Sequence, residues 1–172
     1  MATAGNVDVI VGDWLSEMNI AWNAIAKAQD DQVGFEQGFL DQLGSCLDVI
    51  VDRGIKVVSN AGALNTPALA GRVEELCKEK GYGGVVVAQV LGDDISEYLK
   101  GDGIGDLRHL DHEWRLGDWP FEPHCGVAYI GAWGIVEALN AGADIVICGR
   151  VTDASPVIGA AAWWYNWSRD AW

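Results

Sequence analysis

Asp13, Asn60, Asp93 with Asp94, and Arg150 with Thr152 and Asp153 each follow a short run of β-branched or aliphatic residues. Carboxylates facing an arginine in a partly dry cleft are suited to proton transfer. A guanidinium there can also clamp a carboxylate, a phosphate or a thioester-linked phosphate group. Asp13, Asp93 and Asp153 are therefore the candidate proton carriers. Asn60, Gly62, Asp94, Arg150 and Thr152 are the candidate substrate-binding residues. Each has a plainer reading, because an Asp after a strand caps the next helix and an Asn there satisfies a turn. What favours a site is that all four runs end this way, and ligands of open parallel sheets sit outside the carboxyl ends of the strands.

Other motifs add little chemistry. The turn at residues 60–65, Asn-Ala-Gly-Ala-Leu-Asn, has the look of a phosphate-cradling turn ahead of a helix. It has neither the GxGxxG nor the Walker spacing, and a tight strand-to-helix turn explains it. Gly101 and Gly105 belong to a glycine spacing that follows no clear strand. His109, His112 and His124 fall in an irregular stretch that fixes no ligand geometry, so no metal is assigned. No GxSxG elbow is present, which sets hydrolase chemistry aside. The acid–base groups need no cofactor, and none is expected.

These residues must be held by regular elements, and the pattern supplies them. Strands are expected at residues 7–11, 55–59, 84–91 and 144–148. The last is the most informative: Ile145, Val146, Ile147 and Cys148 form a run that must be covered on both faces, as in the middle of a parallel sheet. Between the strands the apolar period becomes helical. Leu15, Met18, Trp22 and Ile25 give one apolar stripe, with Asp13 as its cap. Residues 35–52 form the clearest helix, closed by Gly54. Thr66 as N-cap and Pro67 open another that stops at Gly81. Ile130, Trp133, Val136 and Leu139 make a helix ended by Gly142, and a last helix runs over residues 156–167. The order β-α-α-β-α-β-(loop)-α-β-α predicts an α/β fold: a mostly parallel sheet of about four strands flanked by helices, with Rossmann-like layering. Residues 1–172 read as a single domain in which 101–126 are an irregular excursion.

Composition narrows the partners. The chain has 172 residues, and half are hydrophobic, which argues against disorder. Its net charge of −14 disfavours nucleic acid and anionic membrane as partners. No apolar run is long enough for a membrane span, and the first residues carry no secretory pattern, so a cytoplasmic protein is expected. Cys46, Cys77, Cys125 and Cys148 lie far apart and read as reduced thiols. Nine tryptophans include Trp163, Trp164, Trp167 and Trp172 near the end. The chain enters its first strand at once and stops on an aromatic tail. It therefore reads as the middle of something larger, or as a homo-oligomer or part of a larger assembly that covers an apolar sheet edge.

The same strand ends carry a resemblance. Residues 13–17 (Asp-Trp-Leu-Ser-Glu), 60–65, 92–94 (Gly-Asp-Asp), 128–132 (Ala-Tyr-Ile-Gly-Ala) and 143–155 resemble the acyclic terpene utilisation AtuA family. The last of these, Ala-Asp-Ile-Val-Ile-Cys-Gly-Arg-Val-Thr-Asp-Ala-Ser, is long and specific. Together the matches span most of residues 7–167, while 101–126 match poorly. The resemblance implies a protein of carbon catabolism or secondary metabolism that handles a small hydrophobic, isoprenoid-like or acyl-CoA-type ligand. It also implies longer relatives, with a Gly-rich strand and helix before this chain's start and a further region beyond its end. The expected activity is hydration, dehydration or isomerisation, a lyase-like or isomerase chemistry. The alternative is a non-catalytic subunit that associates through its sheet edge and Trp-rich C-terminus.

Overall fold

The computed structural model describes residues 1–101 and 104–171. Gly103 of the glycine spacing and Trp172 of the terminal tryptophans lie outside the described residues. The chain runs β1 (Val9–Gly12), α1 (Glu17–Gln29), α2 (Gln37–Arg53), β2 (Lys56–Ser59), α3 (Thr66–Glu79), β3 (Val87–Val90), α4 (Trp133–Asn140), β4 (Ile145–Cys148) and α5 (Ser155–Trp164). The four strands form one parallel sheet in the order β1-β2-β4-β3. This is the α/β architecture that the alternating pattern predicts.

The pleat decides which helix each strand residue meets. Val57, Ile145 and Ile147 point to one face and pack with Leu43, Leu47, Leu69 and Val73 of α2 and α3. Val58, Val146 and Cys148 point to the other and meet Ile135 and Leu139 of α4 and Trp163 of α5. All four residues of β4 are buried, as a strand lying between β2 and β3 and covered on both faces must be. After β2 the chain crosses on one face through α3, and after β4 it continues on the other through α5. The direction of winding therefore reverses between β2 and β4. In open sheets that reversal opens a crevice at the carboxyl ends of the strands.

Several local expectations need correction. The stripe expected to bury α1 faces outward: Met18, Trp22 and Ile25 are 69%, 67% and 51% exposed. Leu15, which completes that stripe in the sequence, is buried but lies ahead of the helix. The packed face instead carries Ile20 and Asn23. Asn23 donates to Glu36 Oε1 at 2.6 Å, and Lys27 donates to the Leu64 carbonyl at 2.6 Å, so polar bonds fix this helix where apolar periodicity was expected to. Its cap is Ser16, whose hydroxyl accepts from Asn19 N–H, and not Asp13. The N-cap of α3 is Asn65, one residue earlier than expected. Ile130 precedes α4 and pairs as a parallel bridge with Val151. The last helix ends at Trp164.

Among the described residues, short 3-10 turns at Ile104–Asp106 and Leu116–Asp118 lie in the irregular excursion, and another at Tyr98–Lys100 leads into it. An antiparallel bridge between Arg108 and Arg115 ties its middle together.

Candidate active site at the carboxyl ends of the strands

The parallel sheet brings every strand exit to one rim. At the β1–β2 end, Asn60 is fully buried. Its Oδ1 accepts from Trp14 N–H at 2.7 Å, and its Nδ2 donates to Asp13 Oδ1 at 2.6 Å. Asn60 therefore locks the exit of β1 to the exit of β2. Beyond it, Gly62 lets the β2–α3 turn touch β4: its N–H donates to the Cys148 carbonyl at 3.0 Å. A Cβ at Gly62 would lie 2.6 Å from that carbonyl oxygen, so close approach requires glycine here.

At the β3–β4 end, Asp93 is buried, at 5% exposure. Its Oδ2 accepts from Arg150 N–H at 2.6 Å. Loss of water around the carboxyl raises its pKa above the ordinary value of 3.8, and neighbouring Asp94 adds to the rise against the backbone hydrogen bonds that oppose it. The carboxylate fits because Gly149 has no side chain: a Cβ there would lie 2.2 Å from Asp93 Oδ2.

Arg150 crosses the reversal and joins the two ends. Its side chain is almost wholly buried, and it donates to the Leu15 carbonyl and to Glu17 Oε1, both at 3.2 Å. It also pairs with Asp153 at 3.0 Å, and its guanidinium lies 4.0 Å from the centre of the Tyr129 ring. Tyr129 O–H in turn donates to Glu17 Oε1 at 2.6 Å, which with the nearby guanidinium lowers the pKa of Glu17 below its ordinary value. Arg150 Nε is buried with no hydrogen-bond partner. The rest of the guanidinium is committed to the protein, so Arg150 organises the rim.

A cleft of about 200 Å³ opens beside Asp93, lined by Lys27, Leu64, Asn65, Thr66, Gly92 and Asp94 among others. Lys27 Nζ lies 3.8 Å from Asp94 Oδ2. Burial works to raise the Asp94 pKa, but hydrogen bonds from Ser96 and the charges of Lys27 and Lys100 outweigh it, and the net shift is downward. Two neighbouring carboxyls thus move apart, Asp93 toward the protonated form and Asp94 toward the ionised one. That division is characteristic of acid–base pairs. Residues 126–130 run alongside and are tied to the cleft residues through the backbone. Ala128 N–H donates to the Asp93 carbonyl at 2.7 Å, Asp94 bridges Val127, and Ile130 bridges Val151.

The eight residues singled out from the sequence all lie on this rim, but in separate groups. Asp13 pairs with Asn60, and Gly62 packs on Cys148. Asp93, Arg150 and Asp153 are linked through Arg150. Asp94 joins Lys27, and Thr152 Oγ1 shares a hydrogen bond of 2.5 Å with Ser155. Asp13 and Asp93 follow β1 and β3, the two edge strands, so no single group holds both. Asp153 caps nothing, since the N-cap of α5 is Ala154. Lys27 and Tyr129 were absent from the candidate set. Lys27 is masked in the sequence by the outward stripe of its own helix. Tyr129 sits in the Ala-Tyr-Ile-Gly-Ala run at 128–132, and that run is its signal.

Two other chemistries lack support. Cys148 lies next to the site, but burial pushes its thiol up to about 12, so it is no thiolate nucleophile. All four cysteines are free. His109 and His112 each stack on Trp114 and lie tilted against each other, with ring centres 4.5 to 5.2 Å apart. Among the described residues no three His, Cys, Asp or Glu side chains converge as a metal centre, and no helix is long and apolar enough to cross a membrane.

Comparison with known proteins gives one match. The family model for "acyclic terpene utilisation family protein AtuA" matches residues 1–172. No curated protein and no solved structure matches the chain.

Proposed function

The chain belongs to the acyclic terpene utilisation AtuA family, and from that premise we propose that it acts on an acyclic terpenoid or acyl-CoA-type substrate by acid–base chemistry at the Asp93 cleft. The observation that carries the reading is buried Asp93, whose carboxyl is raised in pKa by desolvation, among the residues lining a cleft that also holds Lys27 and Asp94. In this reading protonated Asp93 delivers a proton to a double bond or its conjugated carbonyl. Water adds to the neighbouring carbon in a hydration, or a proton leaves the next carbon in an isomerisation. Asp94 takes the released proton, and Lys27 holds the carbonyl or anionic head. Asn60 and Arg150 act as positioning residues that fix β1 and β4 around the cleft. Gly62, Thr152 and Ser155 belong to the same rim.

The test is turnover of an acyclic terpenoid acyl thioester in D2O, followed by deuterium incorporation into product. Asp93→Asn should reduce turnover by at least about a hundredfold, the usual worth of a positioned acid or base. Its circular dichroism and melting should remain those of a folded protein. Unchanged turnover in Asp93→Asn ends this reading.

A second reading, a non-catalytic subunit, is favoured by the exposure of Trp164, Tyr165 and Trp167 at the C-terminal end. It expects Trp164→Ala to break an association that Asp93→Asn leaves intact.

A further inference from the structure

Beside the polar cleft, α1 faces the end of the excursion across an apolar groove of about 520 Å³. Ala24, Ile25 and Ala28 line the helix side, and Trp119, Pro123 and Cys125 line the other. Both of its sides adjoin residues of the cleft. On the helix, Lys27 of the cleft lies between Ala24 and Ala28 of the groove. On the other side, the chain leaves Cys125 and is at once tied to the cleft: Ile95 N–H donates to the Gly126 carbonyl at 2.9 Å, and Val127 bridges Asp94. Cys125 also packs on the small apolar cluster that includes Ala63 and Leu64, two residues of the cleft lining.

We propose that this groove binds the aliphatic chain of an amphiphile whose carbonyl or anionic head lies at Lys27 in the adjoining cleft. Apolar walls and one polar end are the general layout of a small-molecule site, and this volume is in the usual range. The lining is apolar apart from Gln29 and His124, so most backbone N–H and C=O groups of a bound peptide would lie unpaired. A flexible hydrocarbon has no such groups to satisfy. The identity of the head group rests on the acid–base reading above, but the chain site does not.

The experiment is calorimetric titration of the protein with hexanoate, octanoate, decanoate and geranate. Burial of each added methylene should raise affinity about fourfold, until the chain outruns the groove. Ala28→Trp fills the groove from the exposed face of α1 and should flatten the series, weakening decanoate about tenfold or more. Ala24→Phe, which fills it from the other turn, provides a second variant should the first fail to fold. Asp93→Asn should keep the length dependence while losing turnover. A flat series in the unaltered protein overturns the proposal, and so does a series that survives both filling variants. Self-association abolished by Ala28→Trp, with alkyl affinity unchanged, would give the groove to a second copy of the chain and also overturn it. If the series collapses as expected while Asp93→Asn still turns over substrate, the chain site stands and the acid–base reading falls.

Discussion

Arg150 donates its backbone N–H to Asp93 Oδ2 at 2.6 Å, so the carboxylate that follows β3 is held by the turn that follows β4. The two residues are 57 positions apart and meet only because β4 lies directly beside β3. Their contact depends on the bare backbone at Gly149, and this gives the first prediction. In Gly149→Ala the new methyl group would need the space of a buried, hydrogen-bonded carboxylate. The variant should lose about 1–3 kcal/mol in urea denaturation and lose with it whatever activity depends on Asp93.

Asp93 also makes a prediction in pH. Because its folded pKa is raised, the native state holds a proton that the unfolded chain releases near 3.8. The native state therefore binds more protons between that value and the raised one, and stability falls as pH rises through this window. Asp93→Asn keeps an acceptor for Arg150 N–H without the ionisable group. The stability of the variant relative to the parent should grow over the window and then level off. Urea midpoints measured across the acid range check this, and a difference that shrinks with rising pH would contradict the burial argument.

Asn60 predicts a cost in stability at the other end of the rim. Asn60→Ala strips the acceptor from Trp14 N–H and the donor from Asp13. Leaving such partners unsatisfied costs about 1–3 kcal/mol, which thermal or chemical melting will read. Asp13→Asn, at an exposed position, should cost far less.

The orientation of α1 predicts a contrast between near neighbours. Trp22→Gln, on the outward face, should change stability by no more than about 0.5 kcal/mol. Ile20→Ala, at a buried position on the same helix, should cost about 2 kcal/mol or more. The reverse order would mean that the stripe faces inward after all.

How far the sequence could be read differed by element. The burial of β4 was legible because four consecutive apolar residues have no solvent-facing position to offer. The rim followed, since parallel strands must share one exit edge. The orientation of α1 was hidden. Its apolar stripe is real, but what anchors the helix is Asn23 reaching Glu36 and Lys27 reaching the Leu64 carbonyl, bonds across 13 and 37 residues that no periodicity records. The division of the rim was hidden for a related reason. Strand order decides that Asp13 and Asp93 fall at opposite edges, and order is a property of the assembled sheet. The contacts of Arg150 within the protein were hidden too, because its partners Leu15 and Glu17 lie 135 and 133 residues away.

The position of β4 has a consequence for the newborn chain. Strands β2 and β3 are made first, yet they do not pair with each other, and β4 forms a ladder with each of them. A polypeptide still emerging from the ribosome, complete through α4, has two unzipped halves of a sheet and no rim. The final wedge must slide between them before the Asp93 carboxylate can meet the Arg150 N–H. Long-range pairing of this kind is slow by nature, so insertion of β4 is expected to come late in folding.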